Sequence, residues 1–236
     1  MNSLGALKNI FSAAALAGLL AGLLLTGVQE LQVSTIILKA EVYEDAAIAT
    51  TQAAHIHSVA EADHHEHAAG AWQPANGWER TLFTGLANIS LAVGLGLLMG
   101  AVIYLRGEPS SWRSGLLWGV AGYLVFFVAP SLGLPPEVPG AEAAPLADRQ
   151  LWWLMMVVMT ASGLPLLIFA RTWQVKISGV VLLVIPHLIG APQPPVHAST
   201  VPDELAHAFI YATAIANAVF WLALGSLMGF FYKKFP

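Results

Sequence analysis

Six long stretches of nearly unbroken apolar residues constrain this chain more than any other feature: 10–29, 82–105, 115–134, 151–170, 177–191 and 208–231. Crossing about 30 Å of hydrocarbon takes about 20 mostly apolar helical residues. The stretch 177–191 is shorter and contains Pro186. It either crosses with Val175 and Pro192 at the interface or is re-entrant. Hydrophobicity that is continuous rather than alternating indicates helices, not a barrel. The expected fold is an all-α integral membrane protein, a bundle of six transmembrane helices, or five if 177–191 does not cross. It forms one membrane domain over 1–236, with an outer His- and acid-rich loop at 30–81.

Composition excludes the alternatives. Charged residues make up 10% of the chain and hydrophobic residues 57%, and the mean hydropathy is +0.67. A soluble domain carries about 25% charged residues. Ten Lys and Arg against fourteen Asp and Glu leave no basic face for nucleic acid. The absence of cysteine excludes disulfides, iron–sulfur clusters and thiolate zinc sites. The surroundings to expect are the lipid bilayer, a partner subunit, or further copies of the same chain. The first stretch, flanked by Lys8, is expected to be an uncleaved helix. It is long for a signal peptide, and residues 23–30 (LLLTGVQE) offer no A-x-A-like cleavage site.

Charge sets the orientation. With six spans and an inner N-terminus, the inner segments hold Lys8, Arg106, Arg113, Arg171, Lys176, Lys233 and Lys234, and the outer ones hold Lys39, Arg80 and Arg149. That obeys the positive-inside rule, whereas a five-span model removes the bias. Both termini are therefore expected in the cytoplasm. Among the carboxylates Glu108 alone falls inside, and every histidine falls at or beyond the outer edge. Acidic groups contribute little to topology, so the asymmetry suggests an outer surface that attracts divalent cations.

Four groups of residues could bind them. The outer loop carries His55, His57, His64, His65 and His67, and imidazole with carboxylate suits Co, Ni, Zn and Cu(II). If 60–68 is helical, Glu61/His65 and Asp63/His67 face one another; otherwise the tract is flexible metal bait. Glu30, Glu41 and Glu44 share a face if the first helix continues outward, because eleven residues make about three turns. His187, after Pro186, is an ionisable group near hydrocarbon, which normally faces a cavity or a partner. Asp203 and Glu204 precede His207 by four and three residues, so all three can converge on one helix face. The Pro-rich 190–197 would hold His187, His197 and His207 at one level, a three-histidine site with Glu30 or Glu137 as charge partner.

The pairs Gly18/Gly22, Gly96/Gly100, Gly115/Gly119 and Gly225/Gly229 read as close helix crossings. Asn88, Ser162 and Asn217 are the polar residues left to join helices or line a path. Several of the tryptophans, Trp78, Trp112, Trp152, Trp153 and Trp221 among them, suit an interfacial belt. No Gly-rich phosphate loop, G-x-S-x-G or H-E-x-x-H occurs, so no catalytic residue is expected.

Residues 133–153 (GLPPEVPGAEAAPLADRQLWW) and 185–197 (IPHLIGAPQPPVH), with a first helix followed by an acidic, His-bearing loop, resemble the CbtA family of cobalt transporter subunits. The resemblance covers nearly the whole chain. It implies cobalt uptake linked to cobalamin supply, a small single-span CbtB partner with its own histidines, and a place in the inner membrane of a bacterium. It carries over Glu137 and Glu142 from the first motif and His187 and His197 from the second as candidate ligands. The family is described with five spans, whereas the charge count favours six. No tightly bound cofactor is expected; the ion carried or bound is Co(II), with Ni(II), Zn(II) and Cu(II) as alternatives. Beside a permease subunit stand two other readings. One is a non-transporting metal sensor or scaffold, and the other is a membrane metalloenzyme with its metal at the His187/His197/His207 level.

Overall fold

The computed structural model describes residues 3–55, 74–107, 110–194 and 200–235. Helices account for nearly all of them, and no β-strand occurs among them. In chain order they are α1 (Ser3–Val28), a π-helical turn (Gln29–Val33), α2 (Ser34–His55), α3 (Trp78–Arg106), α4 (Trp112–Tyr123), a second π-helical turn (Leu124–Val128), the short α5 (Ala129–Ser131), α6 (Leu146–Phe169), α7 (Trp173–Ile189) and α8 (Asp203–Lys234). Five helical stretches are long and apolar enough to cross a membrane. The remaining helix, α7, has 17 residues, about 25 Å at 1.5 Å per residue.

From Ser3 to His55 the chain is one continuous rod. At 1.5 Å per residue it is about 80 Å long, far more than about 30 Å of hydrocarbon needs. The outer loop expected from Glu30 onward therefore begins as helix. The part beyond the π-helical turn leans on the bundle, where Ala40 packs with Val138 and Val201.

Glycine and alanine decide the packing. A Cβ added at Gly18 or Gly22 would lie 2.6 Å from the backbone of Val93 or Ile89, so α1 and α3 touch almost main chain to main chain. Gly115 and Gly119 of α4 meet Gly225 and Gly229 of α8 in the same way. Without a hydrophobic drive between helices in lipid, such contact is what holds them. Ala13, Ala14, Ala17 and Ala21 of α1, with Phe220, Leu224 and Met228 of α8, fill the centre. Trp221 is in this core, stacked on Phe126 at 5.3 Å between ring centroids, rather than in an interfacial belt.

The helix ends sort by charge. Ile10, Gly100 and Met228 lie at one level, and Arg106 sits 4.2 Å over the Phe169 ring. The starts of α1 and α4 and the ends of α3, α6 and α8 therefore gather at a basic end. At the other end, Gly133 meets both Trp152 of α6 and Ala191 just beyond α7. The hairpin of α6 and α7 crosses at Gly163 and Gly179, and α7 returns the chain to the level at which α6 began.

Candidate functional site

The polar residues that the fold brings together lie where α1 gives way to α2 against the first turns of α3. Gly77, with φ of 102°, turns the chain into α3, and Glu79 accepts a hydrogen bond from the Ala75 amide at 3.0 Å. These contacts aim Arg80 and Thr81 at the π-helical turn. The Arg80 guanidinium grips both oxygens of Glu41, at 2.7 and 3.2 Å, and also donates to Asn76 at 3.0 Å. Glu30 accepts from Ser34 at 2.5 Å and from Thr81. One step deeper, buried Asn88 of α3 donates to Gln29 at 2.7 Å and to Thr26 at 3.0 Å, and Thr26 donates to the Gly22 carbonyl. A polar row thus descends from Glu41 to Thr26 along the α1–α3 seam. Beside it opens a cavity of about 290 Å³ lined by Gln29, Glu30, Ser34, Asn76, Arg80 and Thr81 among others. Turns of this π type recur at functional positions within helices.

Glu30 and Glu41 both meet α3, as the shared face implied. Glu44 instead stands beside Gly140, where an added Cβ would lie 3.4 Å from the Glu44 Cβ. The other candidates are dispersed. His187 is exposed near the end of α7, and Asp203, Glu204 and His207 are exposed on the first turns of α8. Glu137 pairs with Arg149 at 2.9 Å, and Glu142 is exposed. His55 ends α2, while His57, His64, His65, His67 and His197 lie outside the described residues. Among the described residues no three His, Asp or Glu gather as a metal site. Ser162 and Asn217 bond carbonyls of their own helices, so of the three proposed joining residues Asn88 alone links two.

The sequence reading missed Arg80, Thr81, Gln29 and Thr26 as site residues. The adjacent Gln29 and Glu30 at the close of a long apolar run were the available signal, since polar groups at that depth seek partners.

Among the described residues, five long apolar helices, a basic end and a polar row opening at the opposite end define a multi-pass membrane protein. Over residues 7–233 it matches the family described as "Probable cobalt transporter subunit (CbtA)", and the chain belongs to that family. No curated protein and no solved structure was found to match it. Membership implies a transporter subunit, and with it a partner.

Proposed function

We propose that the chain is the membrane-embedded path by which Co(II) crosses the inner membrane of a bacterium to supply cobalamin synthesis. The observation that carries this reading is the polar row from Glu41 through Glu30 to Asn88 and Thr26, which leads from the carboxylate-rich end into the α1–α3 seam. In this scheme six helices span, α7 included, and both termini face the cytoplasm. The tract of His55, His57, His64, His65 and His67 collects metal from dilute solution outside. His187, His197, His207, Glu137, Glu142, Asp203 and Glu204 keep the outer rim attractive to it, and the ion then passes to the α1–α3 mouth. A single-span CbtB-type subunit is the partner. An inside-negative membrane potential supplies about 4.6 kcal/mol per 100 mV to an ion of charge +2, which is enough to drive uptake without nucleotide.

The test is uptake of radiolabelled cobalt into proteoliposomes, with and without the CbtB-type subunit. Uptake that rises with an inside-negative potential is expected. No uptake in either preparation would reject the transport reading.

A further inference from the structure

The cavity at the α1–α3 mouth has a particular chemistry. Apart from the Arg80 guanidinium, the lining side chains that can meet an ion are oxygen donors: the Glu30 carboxylate, the hydroxyls of Ser34, Thr81 and Thr84, and the amide oxygens of Gln29 and Asn76. Carboxylate, hydroxyl and amide oxygens suit hard divalent cations, which when held by one or two carboxylates keep several of their waters. The space agrees. Six waters at about 30 Å³ each fill about 180 Å³, and the cavity holds about 290 Å³.

The charges are divided unequally. Arg80 gives its donors to Glu41 and Asn76, while Glu30 receives two hydroxyls and forms no ion pair among the described residues. A carboxylate offers about four lone-pair sites, so Glu30 keeps negative charge and spare acceptor capacity facing the cavity. Beneath lies the Asn88 bridge, and below that the near-backbone contact of Gly22 with Ile89. The cavity is therefore a vestibule with a floor.

We infer that this vestibule receives a hydrated divalent cation on Glu30, and that Arg80, held aside by Glu41, is the tethered positive charge against which the ion competes. The inference rests on the transport reading for its biological sense but concerns binding alone. An arriving ion draws on Glu30 first and on Glu41 once the guanidinium swings away. Until then Arg80 occupies the mouth with a charge of the same sign as the cargo.

The experiment measures Co(II) binding by equilibrium dialysis of purified protein in which His55, His57, His64, His65 and His67 are all replaced by alanine, so that the collecting tract is silent. In that background Glu30→Gln is expected to weaken binding at least tenfold. Arg80→Gln is expected to tighten it about tenfold, the order of one unit charge acting on a divalent ion a few ångströms away in aqueous surroundings. Arg80→Lys should stay near the parent. A misfolded variant cannot bind more tightly, so the Arg80→Gln result is decisive even if Glu30→Gln folds poorly. Unchanged binding in Glu30→Gln, or unchanged or weaker binding in Arg80→Gln, would overturn the inference whatever the uptake assay shows. Binding as expected in a protein that moves no cobalt would reject the transport reading and leave the site standing.

Discussion

At the carboxylate-rich end of the molecule two places compete to be the first fixed stop for a metal ion. Among the described residues the α1–α3 mouth has no histidine, but its side chains are tied to one another and to a cavity: Glu41 to Arg80, Glu30 to Ser34 and Thr81, and Gln29 to Asn88. The end of α7 and start of α8 have the better transition-metal ligands in His187 and His207; both are exposed, as Glu30 is, but no hydrogen bond or ion pair among the described residues ties either of them. The contrast separates ligand type from ligand placement. Holding an ion with mobile groups costs the entropy of ordering them, whereas groups already held by their neighbours have lost it on folding. The fixed site is therefore expected at the mouth, with the histidines as capture groups around it.

The comparison assumes that both places face the same side of the membrane, and the largest expected effect tests that. The chain has no cysteine, so single cysteines at Gln32, Gln193 and Arg171, all exposed, can be labelled with a membrane-impermeant thiol reagent. Gln32→Cys and Gln193→Cys should react from one side and Arg171→Cys only from the other. If Gln193→Cys and Arg171→Cys react from the same side, α7 does not cross and the six-span scheme fails.

The next effect ranks the two places directly. Glu30→Gln should lower cobalt uptake at least tenfold with normal amounts of protein in the membrane, and His187→Ala should lower it less than about threefold. The mouth variant removes the carboxylate on the row that forms no ion pair among the described residues, whereas the other removes one of two exposed imidazoles at the α7–α8 end. Uptake readings in the reverse order would return the path to the α7–α8 end and make His187 its controlling ligand.

Why the sequence pointed to His187 rather than Glu30 is a matter of range. The apolar stretches made the long helices legible, because about 20 apolar residues in a row have few other uses. The glycine pairs were legible as crossings, since Gly115 with Gly119 and Gly225 with Gly229 sit four apart on their helices and meet in the fold. Even α7 was visible as a short apolar helix around Pro186. The site was not legible in the same way. The Arg80–Glu41 contact joins residues 39 apart in sequence, and the Asn88–Thr26 contact joins residues 62 apart. Each depends on how α1 docks on α3, and nothing local in either segment announces it. The π-helical turn at Gln29–Val33 is equally silent, since its residues suit an ordinary α-helix. Histidine is conspicuous in sequence because it is rare and chemically apt. Glu30 was visible as one of three carboxylates on a shared face, but its meaning comes from Thr81 and the cavity beside it.

The smallest effect bears on what the histidines do if the mouth is the fixed site. Replacing His55, His57, His64, His65 and His67 together with alanine removes the groups best suited to cobalt, yet the polar row along the α1–α3 seam, as far as the described residues go, is built without histidine. A collector raises the local concentration of ion at the mouth without adding a barrier or a binding step within the path. Its loss should therefore be felt when external cobalt is scarce and vanish when it is abundant. The half-saturating cobalt concentration for uptake is expected to rise about three- to tenfold, while the maximal rate stays within about 20% of the parent. At about 1.4 kcal/mol per tenfold, this corresponds to at most about 1.4 kcal/mol of capture free energy. That is small beside the loss expected from Glu30→Gln, which no excess of metal should restore. If the maximal rate instead fell with the half-saturating concentration unchanged, the histidines would lie on the path itself. The division between a collecting rim and a fixed oxygen-lined mouth would then have to be abandoned.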